Sequence, residues 1–274
     1  VKTQAETGPA TKLYFALTCP DPKISYTPGF PVDGNALFLR NRDSGILSKT
    51  HAALYETPLH QIMLSAQSSI NKARTEVDVI AATIEPWRPW QEGPRCLEVM
   101  SAVAVAMAMT GKDSGIWGYG SYTPGGDGKI TRQVMKNNDA MMPLFKLQRA
   151  LMPVGVPFGH ESGSQCEIRT RALLAESKRI RDAVVAERDH KHMPIYVWLS
   201  AYDMAKPHAL VSHEALRGTL AAIGEHRVDG CVLWESIPKP SDIEPRLEAL
   251  EMWNNEVFYP SWIEMTARFQ RNAP

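Results

Sequence analysis

Leu13-Tyr14-Phe15-Ala16-Leu17-Thr18-Cys19-Pro20-Asp21 is the stretch on which the fold turns: an apolar run of strand length, then a sharp polar break. A doubly wound, nucleotide-binding sheet needs a glycine-rich phosphate loop after its first strand. Thr18-Cys19-Pro20-Asp21 is not such a loop. Outward from it, short apolar runs recur at residues 36–39, 77–84, 115–119, 151–156, 195–199 and 230–234. Helix-length segments separate them. Residues 59–74 place Leu59, Ile62, Met63, Ala66 and Ile70 on one stripe. A charged helical pattern covers residues 167–188, and Ser212 is a good N-cap for a helix over 212–226. Ser241 and Glu244 have capping-box spacing at the start of the last helix. Strand–helix alternation along the whole chain predicts a parallel sheet with helices outside it. The reading is a distorted TIM-like (β/α) barrel of about seven parallel strands, a single α/β domain over residues 1–274 with no linker.

Composition narrows the function classes. At 274 residues, with 44% hydrophobic and 22% charged content, the chain is that of an ordinary globular protein, not a fibrous or disordered one. Thirty Lys and Arg balance thirty Asp and Glu, so no global field draws nucleic acid or an anionic membrane. No apolar stretch reaches the roughly 18 residues of a membrane span. Cys19, Cys96, Cys166 and Cys231 show no metal-ligand spacing. Cys231 reads as a small buried hydrophobe, and one disulfide among the other three stays open. No metal or organic cofactor is implied.

In a barrel, functional side chains gather where the strands end at their carboxyl termini. Those ends carry Thr83-Ile84-Glu85-Pro86-Trp87-Arg88-Pro89, Trp117-Gly118-Tyr119, Tyr202-Asp203 and Trp234-Glu235. Aromatic faces stack on the C–H faces of pyranose rings, and carboxyl groups supply the acid and the base or nucleophile of glycoside hydrolysis. Glu85 is the candidate acid, with Glu235 or Asp203 as second carboxylate; Trp87, Trp117, Tyr119, Tyr202 and Trp234 are candidate sugar contacts. His160-Glu161 reads as a flexible polar loop.

From Glu85 with Trp87-Arg88-Pro89 onward, the sequence resembles the hyaluronidase family of glycoside hydrolases. Trp117-Gly118-Tyr119, Asn138-Asp139 with Leu144-Phe145, Leu151-Met152-Pro153, Pro194-Ile195-Tyr196-Val197, Tyr202-Asp203 and Gly230-Cys231-Val232-Leu233-Trp234 follow in the family's order. The resemblance covers residues 75–258 and implies a distorted α/β barrel, Glu85 as general acid, a polysaccharide or oligosaccharide substrate and a location outside cells. In the family, an aspartate two residues before the acid orients the substrate's acetamido group. Thr83 stands at that position here and is the candidate acetamido contact. The family's pocket tyrosines on its second and fifth strands fall on Leu39 and Val156, and Cys19 is a counterpart of one of its cysteines. These departures favour either a Glu85–Glu235 carboxylate pair or a non-catalytic, glycan-binding or structural barrel.

Overall fold

The computed structural model describes residues 11–18, 26, 28–46, 55–72, 76–84, 92–118, 128–156, 161–188, 192–203, 209–237 and 239–271. Among these, six parallel strands form one sheet: β1 (Lys12–Thr18), β2 (Gly34–Leu39), β3 (Val79–Ala82), β4 (Asp113–Ile116), β5 (Tyr196–Leu199) and β6 (Gly230–Ser236). Their order is β4-β3-β2-β1-β6-β5, with β1 and β6 paired from Lys12↔Gly230 to Thr18↔Ser236.

The count is one fewer than expected, and residues 151–156 are the reason. They make only isolated parallel bridges, Trp117↔Met152 beyond β4 and Leu151↔Ile195 and Val154↔Trp198 alongside β5. Pro153 has no N–H to donate, which interrupts a regular ladder. Main-chain bonds still run both ways: Gly118 N–H donates to the Met152 carbonyl at 3.1 Å, and Trp198 N–H to the Pro153 carbonyl at 2.9 Å. The segment therefore joins the two edges of the sheet and curls it into a ring.

Side chains alternate across that ring. Tyr14, Ala16, Val79, Ala81, Trp198 and Val232 pack inside it. Leu13, Phe15, Ile80, Ala82, Val197 and Leu233 pack outside, under the helices. Both faces of a parallel sheet are buried this way, so its strands read as continuous apolar runs.

The helices are α1 (Leu59–Asn71), α2 (Pro94–Ala108), α3 (Arg132–Ala140), α4 (Met142–Phe145), α5 (Gly163–Glu187), α6 (His213–His226), α7 (Ile243–Trp253) and α8 (Tyr259–Arg271). A π-helical turn, Asn254–Phe258, joins the last two. Ser212 caps α6 as expected, its hydroxyl accepting from Ala215 N–H at 3.2 Å. α5 begins with a full capping box in which Ser162 and Gln165 satisfy each other's backbone N–H groups. Ser162→Ala is expected to cost about 1 kcal/mol in a urea melt; a cost near zero would mean the box adds nothing to α5.

The capping box expected at Ser241 and Glu244 does not form. A 3₁₀ turn (Pro240–Asp242) intervenes, and Ser241 Oγ instead bonds Asp242 Oδ1 at 3.1 Å. α5 and α6 meet at two glycines: a Cβ on Gly218 would lie 1.9 Å from the Gly163 carbonyl oxygen, so no larger residue fits there. Asn138 and Asp139 clamp α3 to α5. Asn138 Nδ2 donates to buried Glu176 at 2.8 Å, and Arg179 bridges Glu176 and Asp139. Cys96, Cys166 and Cys231 are buried free thiols, and burial pushes those of Cys96 and Cys166 up to about 12 and about 11. Cys19 lies outside the described residues.

Candidate active site at the carboxyl ends of the strands

The inner face of the ring carries an aromatic wall at its carboxyl end. Phe38 from β2 meets Trp234 from β6 at 4.9 Å between ring centroids and Trp117, just beyond β4, edge-on at 5.5 Å. Trp117 and Trp234 lie 5.6 Å apart, and Trp198 of β5 stands below Phe38 at 5.5 Å. Trp234 is only partly buried, and its indole N–H donates to Thr18 Oγ1 at 3.2 Å. That bond fixes the plane of the ring.

Next to this wall are hydrogen-bonding groups with no protein partner. Thr83 continues the inward alternation of Val79 and Ala81; its N–H reaches the Leu39 carbonyl at 2.9 Å, but its buried Oγ1 bonds nothing. The indole N–H of Trp117 is equally buried and unpartnered. Buried polar atoms are nearly always paired, so these two leave unused hydrogen-bonding capacity at this end of the barrel interior.

Of the expected site residues, Trp117 and Trp234 stand side by side on the inner face, and Thr83 directly follows the adjacent strand β3. Glu85, Trp87 and Tyr119 lie outside the described residues. Two expected site residues sit elsewhere. Glu235 follows Trp234 in β6, so the pleat turns it to the outer face with Cys231 and Leu233, under the helices. There it is 2% exposed, and its Oε1 accepts from Ala201 N–H. Burial pushes its carboxyl up to about 8, against the opposing effects of the Ala201 N–H, Arg246 and the Ser200 hydroxyl.

Tyr202 is on the same outer side. The Arg246 guanidinium stacks 4.3 Å over its ring, and its hydroxyl donates to the Arg246 carbonyl at 3.4 Å. It is therefore no part of the inner wall. Asp203 is buried, and its main chain pairs with Ala209 in the turn closed by the Tyr202↔Leu210 bridge.

Leu39 faces the helices, and its neighbour Phe38 is the β2 residue that lines the interior. Glu161 is not part of a free polar loop: it forms a buried ion pair with Arg169 at 3.0 Å. Phe38, Trp198 and Thr18 went unrecognised in the sequence. The period-2 pattern Tyr196–Trp198 was the available signal for one of them. Among the described residues, no group of three His, Cys, Asp or Glu side chains could hold a metal ion.

The architecture is that of a TIM-like α/β barrel. Its fold is similar to that of bee venom hyaluronidase, with a TM-score of 0.72 and 14% identity over 92% of this chain and 99% of that one. A second structure, bee venom hyaluronidase in complex with a hyaluronic acid tetramer, superposes with a TM-score of 0.65 and 14% identity over 82% of this chain and 86% of that one. No protein-family model and no curated protein matches the sequence. Among the described residues, no helix is long and apolar enough to cross a membrane.

Proposed function

We propose that this chain is a single-domain, secreted, hyaluronidase-like glycoside hydrolase that cleaves a polysaccharide or oligosaccharide at the carboxyl end of its barrel. The observation that carries this reading is the inner wall of Trp117, Phe38 and Trp234 beside the unpartnered Thr83 Oγ1 and Trp117 Nε1. An apolar platform beside convergent hydrogen-bonding groups suits a sugar ring, which presents C–H faces and polar edges. The likeness in fold to a hyaluronidase supports it.

Glu85 is the proposed general acid. It lies two residues beyond inward-facing Thr83, the spacing at which an extended chain presents side chains to one face. The outward placement of Glu235 argues against the Glu85–Glu235 pair. The second role then passes to the substrate's own acetamido group, hydrogen-bonded by Thr83, or to Asp203.

The test is reducing-end release from hyaluronan, chondroitin, chitin and glycans without N-acetyl groups, comparing the native protein with Glu85→Gln. Activity confined to N-acetylated substrates, and lowered about 100- to 10,000-fold in the variant, is the expected result. Release from glycans lacking acetamido groups would rule out the substrate-assisted route and leave Asp203 as the residue to change. A second reading, a non-catalytic glycan-binding barrel, is favoured by the uncharged Thr83 in the aspartate's place. No release from any substrate by a folded protein that still binds one of them would establish it.

A further inference from the structure

At the opposite, amino end of the strands lies a cavity of about 380 Å³. Its floor is made by first residues of strands, Lys12, Asp113 and Tyr196, together with Asp229 just before β6. One wall is the last turns of α5 with Arg188, and Arg149 closes the other side.

Its acids are already occupied. Asp113 Oδ2 accepts the Tyr196 hydroxyl at 2.6 Å; Asp229 accepts Ile195 N–H at 2.9 Å and bonds His192 Nε2 at 2.6 Å. Its permanent cations are not matched. Among the described residues, Lys12, Arg149 and Arg188 have no carboxylate within ion-pair distance, and the Arg188 guanidinium donates only to the Gln148 carbonyl, at 3.0 Å. Burial and the nearby Arg149 both disfavour the charge on Arg188. Two guanidiniums that repel each other beside a lysine become favourable when an anion lies between them, and the planar fork of each fits a carboxylate or phosphate. Val185, partly exposed, adds an apolar contact for the rest of such a molecule.

We infer that this amino-end cavity is a binding site for a small organic oxyanion, a carboxylate or phosphate ester of metabolite size, held by Arg149, Arg188 and Lys12. The cavity volume lies within the range of small-molecule sites, roughly 300–1,000 Å³.

Isothermal titration at low salt tests this with citrate, glucose 6-phosphate and inorganic phosphate, and with uncharged glucose as control. At least one anion is expected to bind with a Kd of roughly 1 mM or tighter, and citrate against the phosphates tells which oxyanion is preferred. Arg149→Gln and Lys12→Gln, both at exposed positions, are each expected to weaken that binding about tenfold, whereas Lys136→Gln on α3 leaves it unchanged. Circular dichroism checks that each variant is folded. No saturable binding of any of the anions, or binding that Lys136→Gln weakens as much as the cavity variants do, overturns the proposal.

Discussion

Arg169→Met is expected to lower the unfolding free energy by about 3–5 kcal/mol. The guanidinium is 1% exposed and its partner Glu161 6%. Arg169 Nε donates to the Glu161 carboxylate at 3.1 Å, and Nη2 donates to the Val156 carbonyl at 2.9 Å. Methionine keeps most of the apolar stem but takes the Arg169 guanidinium away from the buried Glu161 carboxylate and from the Val156 carbonyl. Removing one member of a buried ion pair costs more than replacing both. The double variant Arg169→Met/Glu161→Gln is therefore expected to recover at least about 1 kcal/mol of that loss. Urea melts of both single variants and the double variant complete the cycle. A single-variant cost below about 1 kcal/mol would mean that Glu161 escapes to water when Arg169 is removed. The pair anchors the carboxyl end of residues 151–156, where the ring is closed only by isolated bridges.

Glu235→Gln is expected to change how stability depends on pH. The native carboxyl titrates at about 8, above the ordinary 4.5, because it is buried on the outer face of β6 with no partner for Oε2. Between those two values the folded protein holds a proton that the unfolded chain has released. The stabilisation is thus fully present below about 4.5 and is lost as pH rises through about 8. With one proton held by the fold and not by the unfolded chain, stability falls by about 1.4 kcal/mol for each rise of one in pH, on the order of 3–5 kcal/mol across the window. Glutamine keeps an acceptor for the Ala201 N–H and carries no charge, so its stability is expected to be flat over the same window. Near pH 5 the variant is less stable by about 1 kcal/mol because its amide N–H lacks an acceptor, and above about pH 6 it becomes the more stable protein. Guanidinium melts at pH 5, 7 and 9 check this. Parallel slopes for the two proteins would show that Glu235 is ionised in the fold across the range.

The strand runs were legible because a parallel sheet covered on both faces needs apolar residues at every position. Residues 77–84 shorten to Val79–Ala82, since the ladder ends where β2 and β4 end, and residues 151–156 make isolated bridges in place of a ladder. Helix starts were legible where a hydroxyl caps locally, as at Ser212, and illegible at Ser241, where Pro240 sets up a 3₁₀ turn first. His160-Glu161 looked like a polar loop because its partner is eight residues on, on a helix face that no local pattern exposes.

By itself the sequence determined the α/β alternation, the absence of a phosphate loop, and the placing of Thr83, Trp117 and Trp234 at strand ends. These follow from periods and turn chemistry that act within a few residues. Only the tertiary structure decided which face each strand-end side chain occupies. Trp234 and Glu235 are neighbours in the chain, yet the pleat sends one into the barrel and the other under the helices. The amino-end cavity was likewise invisible, because its cations come from β1, the turn before residues 151–156 and the end of α5, and meet only when the ring closes.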